Sequence, residues 1–319
     1  MYKIVTITFS PCIDKSTTVP GLYPERKLVC TAPVLEPGGG GINVARAIRK
    51  LGGDAIAVFP SGGYTGKFFN HLLEKENIPC VIIETGNETR ENIIVFDTSS
   101  GNQYRFGMPG TELSEMEWKA CLDAVKQIKD ASFIIASGSL PPGVPPSIYG
   151  TLARIARANH AKFIVDASGE GLKYAVDEGV YLLKPNLTEL ASLSGTKTLN
   201  RQHAADIAKK LVLTKNCEII VVSLGAEGAL LVTRQETIRV SAPAVEVKST
   251  VGAGDSMVAG IVYSLHKGEN LRQALQFGVA CGTAATLNAG TELCGRKDAY
   301  FLADIIRRQD VLNTPLQDI

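Results

Sequence analysis

The residues best suited to chemistry in this chain stand at Gly252-Ala253-Gly254-Asp255, directly ahead of the buried-looking helix that begins Ser256-Met-Val-Ala-Gly-Ile. Glycines just before a helix let backbone N–H groups crowd around an anion, and the helix dipole adds positive potential there. Such a cradle suits a phosphoryl group in transfer. Asp255 falls in the first turn, where a carboxylate ordinarily caps the helix or complements its dipole. The functional reading makes it the base that takes a proton from an acceptor hydroxyl, with its pKa lowered by the helix N-terminus. Phosphoryl transfer tolerates so weak a base, because its loose transition state asks mainly for a positioned acceptor and stabilised equatorial charge.

Other polar residues cluster at the ends of predicted strands. Pro37-Gly38-Gly39-Gly40-Gly41-Ile-Asn43-Val-Ala-Arg46 is a glycine run opening a helix that stops at Gly52-Gly53, and alone it reads as a flexible turn. Asp14 follows the first strand and alone is a turn aspartate. Lys184-Pro-Asn186-Leu-Thr-Glu189 has the spacing of a capping box. Ser223-Leu-Gly225-Ala-Glu-Gly228 joins two strands, with turn glycines. Arg90 and Lys27 are candidates for holding a phosphate, Arg through a planar fork and Lys as a point charge. The run Ser61 to Phe68 fails as a P-loop, since Ser61 stands at the first glycine and Phe68 at the Ser/Thr, and no G-x-G-x-x-G follows a strand.

These residues need a scaffold, and the apolar patterning supplies one. Short β-rich runs at Phe133-Ile-Ile-Ala136, Phe163-Ile-Val-Asp166, Tyr181-Leu-Leu-Lys184 and Glu218-Ile-Ile-Val-Val-Ser223 are separated by helix-length stretches. The alternation predicts βαβ units and a mostly parallel sheet covered on both faces, with ligands beyond the carboxyl ends of the strands. Two segments break the rhythm. Residues 11–37 carry five prolines and residues 87–107 read as two strands around Ser99-Ser100-Gly101. Together they predict a small separate sheet, a lid that needs another surface to cover it.

Composition narrows the setting. With 319 residues, 45% hydrophobic and 20% charged, the chain can bury a full core and is expected to be globular around one continuous sheet. A net charge of +1 points away from a polyanion-binding surface or an electrostatic membrane anchor. The seven dispersed cysteines form no CxxC pair and read as reduced thiols, and no signal peptide or membrane span is seen, so the expectation is a cytoplasmic protein without nucleic-acid or membrane partners.

The Asp255 run resembles the C-terminal signature of the ribokinase-like PfkB family of carbohydrate kinases, and Gly39-Gly40-x-x-Asn43-x-Ala45 resembles its sugar-binding element. The resemblance spans Ile4 to the Asn288-Ala-Gly-Thr291 region. It implies a three-layer αβα kinase domain over 1–319, with the lid segments inserted in it, and an ATP- and Mg²⁺-dependent transfer to a sugar hydroxyl. Asp255 then becomes the catalytic base, with Gly252, Ala253 and Gly254 as the anion hole. The sugar falls to Asp14, Gly39, Gly40 and Asn43, and its phosphate to Arg90, Ser139 and, across a dimer formed through the lid, Lys27. ATP is implied at Lys184, Asn186, Ser223, Gly225 and Gly228, with its adenine near Val279 and Thr283. The resemblance also implies that Glu189 organises Mg²⁺ through water and that backbone carbonyls of Ser249, Val251, Ala285, Asn288 and Gly290 form a monovalent-cation site for K⁺.

Within the family, Tyr23 to Arg46 looks like the type 2 6-phosphofructokinase branch, implying fructose 6-phosphate as acceptor. Tagatose-6-phosphate kinase and 1-phosphofructokinase are the alternatives, since the two ends of a fructofuranose are nearly interchangeable in shape. Val29 and Thr188 depart from the basic residue and the lysine common in that branch. An inactive sugar-phosphate sensor is a reading from another class, and the presence of Asp255, both anion-hole glycines and Glu189 weighs against it.

Overall fold

The computed structural model describes residues 3–196, Leu199 and 201–313. Strands β1 (Lys3–Ile7), β2 (Cys12–Val19) and β3 (Val34–Gly38) precede helix α1 (Gly40–Leu51), and β4 (Ala55–Gly62), α2 (Gly63–Lys75) and β5 (Cys80–Thr85) follow. Next come the β6 (Arg90–Asp97) and β7 (Asn102–Phe106) hairpin, α3 (Glu115–Gln127), β8 (Ala131–Ser137), α4 (Ile148–Ala158), β9 (Lys162–Asp166), α5 (Gly171–Glu178), β10 (Val180–Leu183), α6 (Leu187–Ser194) and α7 (Ala204–Thr214). The chain continues through β11 (Cys217–Ser223), β12 (Ala229–Val232) and β13 (Thr237–Val240) to α8 (Ala253–His266), α9 (Leu271–Thr286) and α10 (Arg296–Asn313).

The large sheet runs β13-β12-β11-β10-β9-β8-β1-β4-β5. It is parallel from β5 to β11, and β12 and β13 add an antiparallel edge. Runs such as Phe133-Ile-Ile-Ala136 are apolar at every position because helices cover both faces. Successive side chains point to opposite faces, so Ile4 joins a core with residues of α1, α8 and α9, while Val5 and Ile7 join another with residues of α3, α4 and α7. The ribokinase-like αβα architecture expected from the sequence is what the chain adopts.

The segments 11–37 and 87–107 supply a second, four-stranded sheet ordered β3-β2-β6-β7. β2 pairs antiparallel with β3 and parallel with β6, which closes the hairpin with β7. One buried side chain anchors the root of this sheet to the core. Arg46 on α1 is 2% exposed and donates from Nε and Nη2 to Glu76, from Nη2 to Glu36 at 3.2 Å, and from Nη1 to the Pro37 carbonyl at 2.7 Å. Burying a guanidinium is tolerable only with its donors satisfied in this way.

Candidate active site

The carboxyl ends of neighbouring strands set Ser137 (β8), Asp166 (β9), Lys184 (just after β10) and Ser223 (β11) side by side, with Ser137 in register with Asp166 and Asn186 bridged to Ser223. α8 begins beside this row. Its cap, Gly252, has φ 73°, a left-handed conformation that places the following amides at the head of the helix without a Cβ penalty. The Ala253 amide reaches the Thr250 carbonyl only at 3.5 Å and the Ser256 amide bonds the Gly252 carbonyl at 2.8 Å, so the first-turn amides of Gly254 and Asp255 are the ones best placed to donate to an anion.

Asp255 in that turn accepts from Asn43 Nδ2 at Oδ2 (2.9 Å) and from Ser137 Oγ at Oδ1 (3.5 Å). Burial, and then the nearby Asp166 carboxylate, push its pKa up to about 6 against the opposing pull of Asn43, Lys184 and Ser137. The lowered pKa expected from the helix N-terminus is therefore overturned, because desolvation of the charged form outweighs the dipole. The result is a stronger base than the sequence suggested.

On the side predicted to hold the sugar, Asp14 on β2 is buried and accepts from Asn92 Nδ2 at 2.9 Å and from the Cys12 thiol at 3.4 Å. Burial raises its pKa and the two donors oppose the rise. The glycine turn runs past β8 so closely that a Cβ on Gly40 would lie 2.3 Å from Ser137 Oγ and 2.5 Å from Gly138 N. Gly39, with φ 110°, sets the turn that delivers Asn43. Arg90 donates to the carbonyls of Met108 (2.8 Å) and Ser10 (3.1 Å), and it lines a cavity of about 280 Å³ together with Asp14, Gly39, Asn92, Arg105 and Val251. Two predicted partners do not join it. Lys27 is exposed on the loop between β2 and β3, Ser139 is exposed after β8, and neither lines this cavity.

On the side predicted to hold the nucleotide, Lys184 is buried and pairs with Asp166 at 3.0 Å. Burial disfavours its charge, yet Asp166 holds the ammonium above its usual range. The Nζ atom would lie 3.6 Å from a Cβ on Gly254, which ties Lys184 to the anion cradle. Asn186 and Glu189 form both halves of the capping box, each bond at 2.9 Å, and burial raises the Glu189 pKa. Gly225 and Gly228 turn the chain from β11 into β12. Val279 and Thr283 sit inside α9, with exposures of 1% and 8%, and the Thr283 hydroxyl donates to the Val279 carbonyl at 2.9 Å.

The carbonyl-rich segments come together as well. Ser249 is buried, donates to the Gly290 carbonyl at 2.7 Å and accepts from the Val251 amide at 3.2 Å. Asn288 bonds the carbonyls of Ala285 and Leu293.

The pattern described as "pfkB family carbohydrate kinase" matches residues 4–298. The chain belongs to the pfkB family. It is 45% identical over 309 residues to the ATP-dependent 6-phosphofructokinase isozyme 2 of Escherichia coli, covering 97% of this chain and 100% of that protein. It is 31% identical over 296 residues to the 1-phosphofructokinase of Bacillus subtilis, covering 91% and 95%. The crystal structure of Escherichia coli phosphofructokinase-2 in complex with potassium superposes with a TM-score of 0.92 at 44% identity, covering 97% of this chain and 100% of that one.

As a pfkB carbohydrate kinase the chain is a phosphotransferase with an alcohol acceptor, and four residues unassigned from the sequence gain a place in its site. Ser137 touches the candidate base, Asp166 pairs with Lys184, Asn92 orients Asp14, and Arg105 lines the cavity. Ser137 and Asp166 each end a strand that the sequence reveals, so strand termini held the available signal. Asn92 and Arg105 follow from the pairing of β2, β6 and β7.

Proposed function

We propose that the protein is an ATP-dependent 6-phosphofructokinase that moves the γ-phosphoryl group of MgATP to the C1 hydroxyl of fructose 6-phosphate, giving fructose 1,6-bisphosphate and ADP. The observation that carries this reading is Asp255, held by Asn43 and Ser137 at the head of α8 with its pKa near 6. A carboxylate so placed accepts the hydroxyl proton as the acceptor oxygen attacks phosphorus, while the first-turn amides and Lys184 face the charge on the transferring group. Asp14 and the glycine turn hold the sugar, and Arg90 its phosphate.

Divalent metal chemistry fits the residues present. Glu189 uses Oε2 and Asp166 uses Oδ1 in protein contacts, which leaves a hard oxygen on each for the water shell of Mg²⁺. When bound, Mg²⁺ neutralises charge on the nucleotide phosphates. The carbonyls around Ser249 and Gly290 would take a monovalent cation.

We assign the second sheet the role of a lid completed by a second copy of the chain. Val29, Val34, Ile93, Tyr104 and Phe106 on and beside it are all more than a third exposed, a concentration of apolar side chains that asks for cover. A cytoplasmic location accords with cysteines that are all free.

Measuring kcat/KM for fructose 6-phosphate, tagatose 6-phosphate and fructose 1-phosphate side by side tests the assignment. Fructose 6-phosphate is expected to lead, and a clear preference for fructose 1-phosphate would make the enzyme a 1-phosphofructokinase instead.

A further inference from the structure

Arg90 alone is an incomplete anchor for a phosphate. Its Nη1 donates to Met108 O and Asn92 Oδ1 and its Nη2 to Ser10 O, so protein oxygens already take much of the fork, while Nε is buried with no hydrogen-bond partner. A buried donor left in that state is unfavourable until an acceptor arrives. The cavity that Arg90 lines holds a second guanidinium, that of Arg105.

Strand pairing puts Arg105 there. Asp14 is opposite Asn92 on β2 and β6, and Ile94, two residues along, is opposite Arg105 on β7. Residues directly opposite, and residues two apart, share a face, so Asp14, Asn92, Ile94 and Arg105 all belong to one face of the second sheet. The hydrogen bonds of Arg105 leave from Nε and Nη2, to Gln103 and to the Thr250 hydroxyl at 2.8 Å, and none leaves from Nη1 among the described residues. Two arginines and one carboxylate give the cavity a net positive lining, which favours an anion.

We propose that Arg105 grips the phosphate of the sugar substrate opposite Arg90, so that the substrate's phosphate ties the edge strand β7 to the root of β6 in the second sheet. The inference rests on the reading that the acceptor is a phosphosugar. Through Thr250 the same side chain reaches the loop two residues before Gly252. Arg105 thereby selects phosphorylated over plain sugars.

Steady-state kinetics of the full-length wild type, Arg105→Gln, Arg105→Lys and Thr250→Val test this. Arg105 and Thr250 are exposed, so the variants are expected to fold, and thermal melts verify it. Arg105→Gln should raise KM for fructose 6-phosphate at least about tenfold, with KM for MgATP within about twofold, and Arg105→Lys should recover part of the loss. Thr250→Val, which removes the protein acceptor but keeps the guanidinium, should leave KM for the sugar phosphate within about twofold. An unchanged KM in Arg105→Gln overturns the inference, and so do equal losses in Arg105→Gln and Thr250→Val, which would make Arg105 a support for the loop. A wild type that prefers another phosphosugar overturns the proposed substrate alone, and the comparison then runs on that sugar. One that turns over only unphosphorylated sugars overturns both.

Discussion

Asn43 Nδ2 donates to Asp255 Oδ2 at 2.9 Å across 212 positions of sequence. One side chain comes from the helix that the sugar-binding glycine turn opens, the other from the helix that heads the anion cradle. The bond therefore joins the two elements to which we assign the acceptor and the phosphoryl group. Asn43 orients the carboxylate, and its hydrogen bond lowers the Asp255 pKa by less than burial raises it.

Replacing Asp255 with Asn is expected to lower kcat by about 10²–10⁴-fold while leaving both KM values nearly unchanged. In the wild type, kcat/KM should rise with pH through about 6 as the carboxylate loses its proton, then level off. Near-normal turnover in Asp255→Asn, or a wild-type profile flat between pH 5 and 7, would exclude Asp255 as the base.

The same residue has a stability signature of opposite sign. Its folded pKa of about 6 lies above the ordinary 3.8, so the folded state holds a proton that the unfolded chain has released. That contribution to stability is fully present below 3.8 and lost as pH rises through 6. Above 6 the half-buried carboxylate opposes folding by at most about 3 kcal/mol. Asp255→Asn should thus resist urea better than the wild type at pH 7.5, with the gap narrowing at pH 5. Paired urea titrations at the two pH values measure it, and a variant weaker at both would mean that the lost hydrogen bonds outweigh burial.

Gly40→Ala should separate α1 from β8, because its Cβ meets Ser137 Oγ and the Gly138 amide well inside contact distance. Displacing Asn43 and Ser137 from Asp255 by even about 1 Å predicts a fall in kcat/KM of about 100-fold. Gly86→Ala, where no atom lies within 4 Å of the new Cβ, is the control and should behave as wild type. Similar activity in both variants would show that the turn yields without consequence.

Diluting the enzyme should lower its specific activity in step with loss of the dimer, since each second sheet would lose the apolar cover it needs. Light scattering or sedimentation run beside the assay checks this. A monomer of undiminished activity would show that the sheet is covered in some other way.

Much of the scaffold is readable from sequence for a physical reason. The strands ending at Ala136, Asp166, Lys184 and Ser223 are apolar throughout and bounded by helix-length stretches, and β8, β9, β10 and β11 match them closely. The Asn186/Glu189 box is a local pattern, and both its bonds form. What escapes is everything decided by strand order. Ser137 meets Asp255 only because β8 lies beside β1, and Arg105 shares the cavity with Asp14 only through the pairing of β6 with β2 and β7. No periodicity encodes those adjacencies. The direction of the Asp255 pKa was misread for a related reason, since a helix N-terminus is visible in sequence and the depth of burial is not.

The 212 positions between Asn43 and Asp255 also give the site a timetable. At about 5–20 residues per second, a ribosome needs roughly 10–40 s to travel from one to the other. Throughout that interval the nascent chain has its glycine turn and Asn43 but no base to receive them. β1 meanwhile waits for β8, its neighbour on the side away from β4. On the proposed assignment of Asp255 as the base, a polypeptide interrupted before α8 is catalytically silent however well its first half has folded, and enzymatic activity would report that translation has passed residue 255.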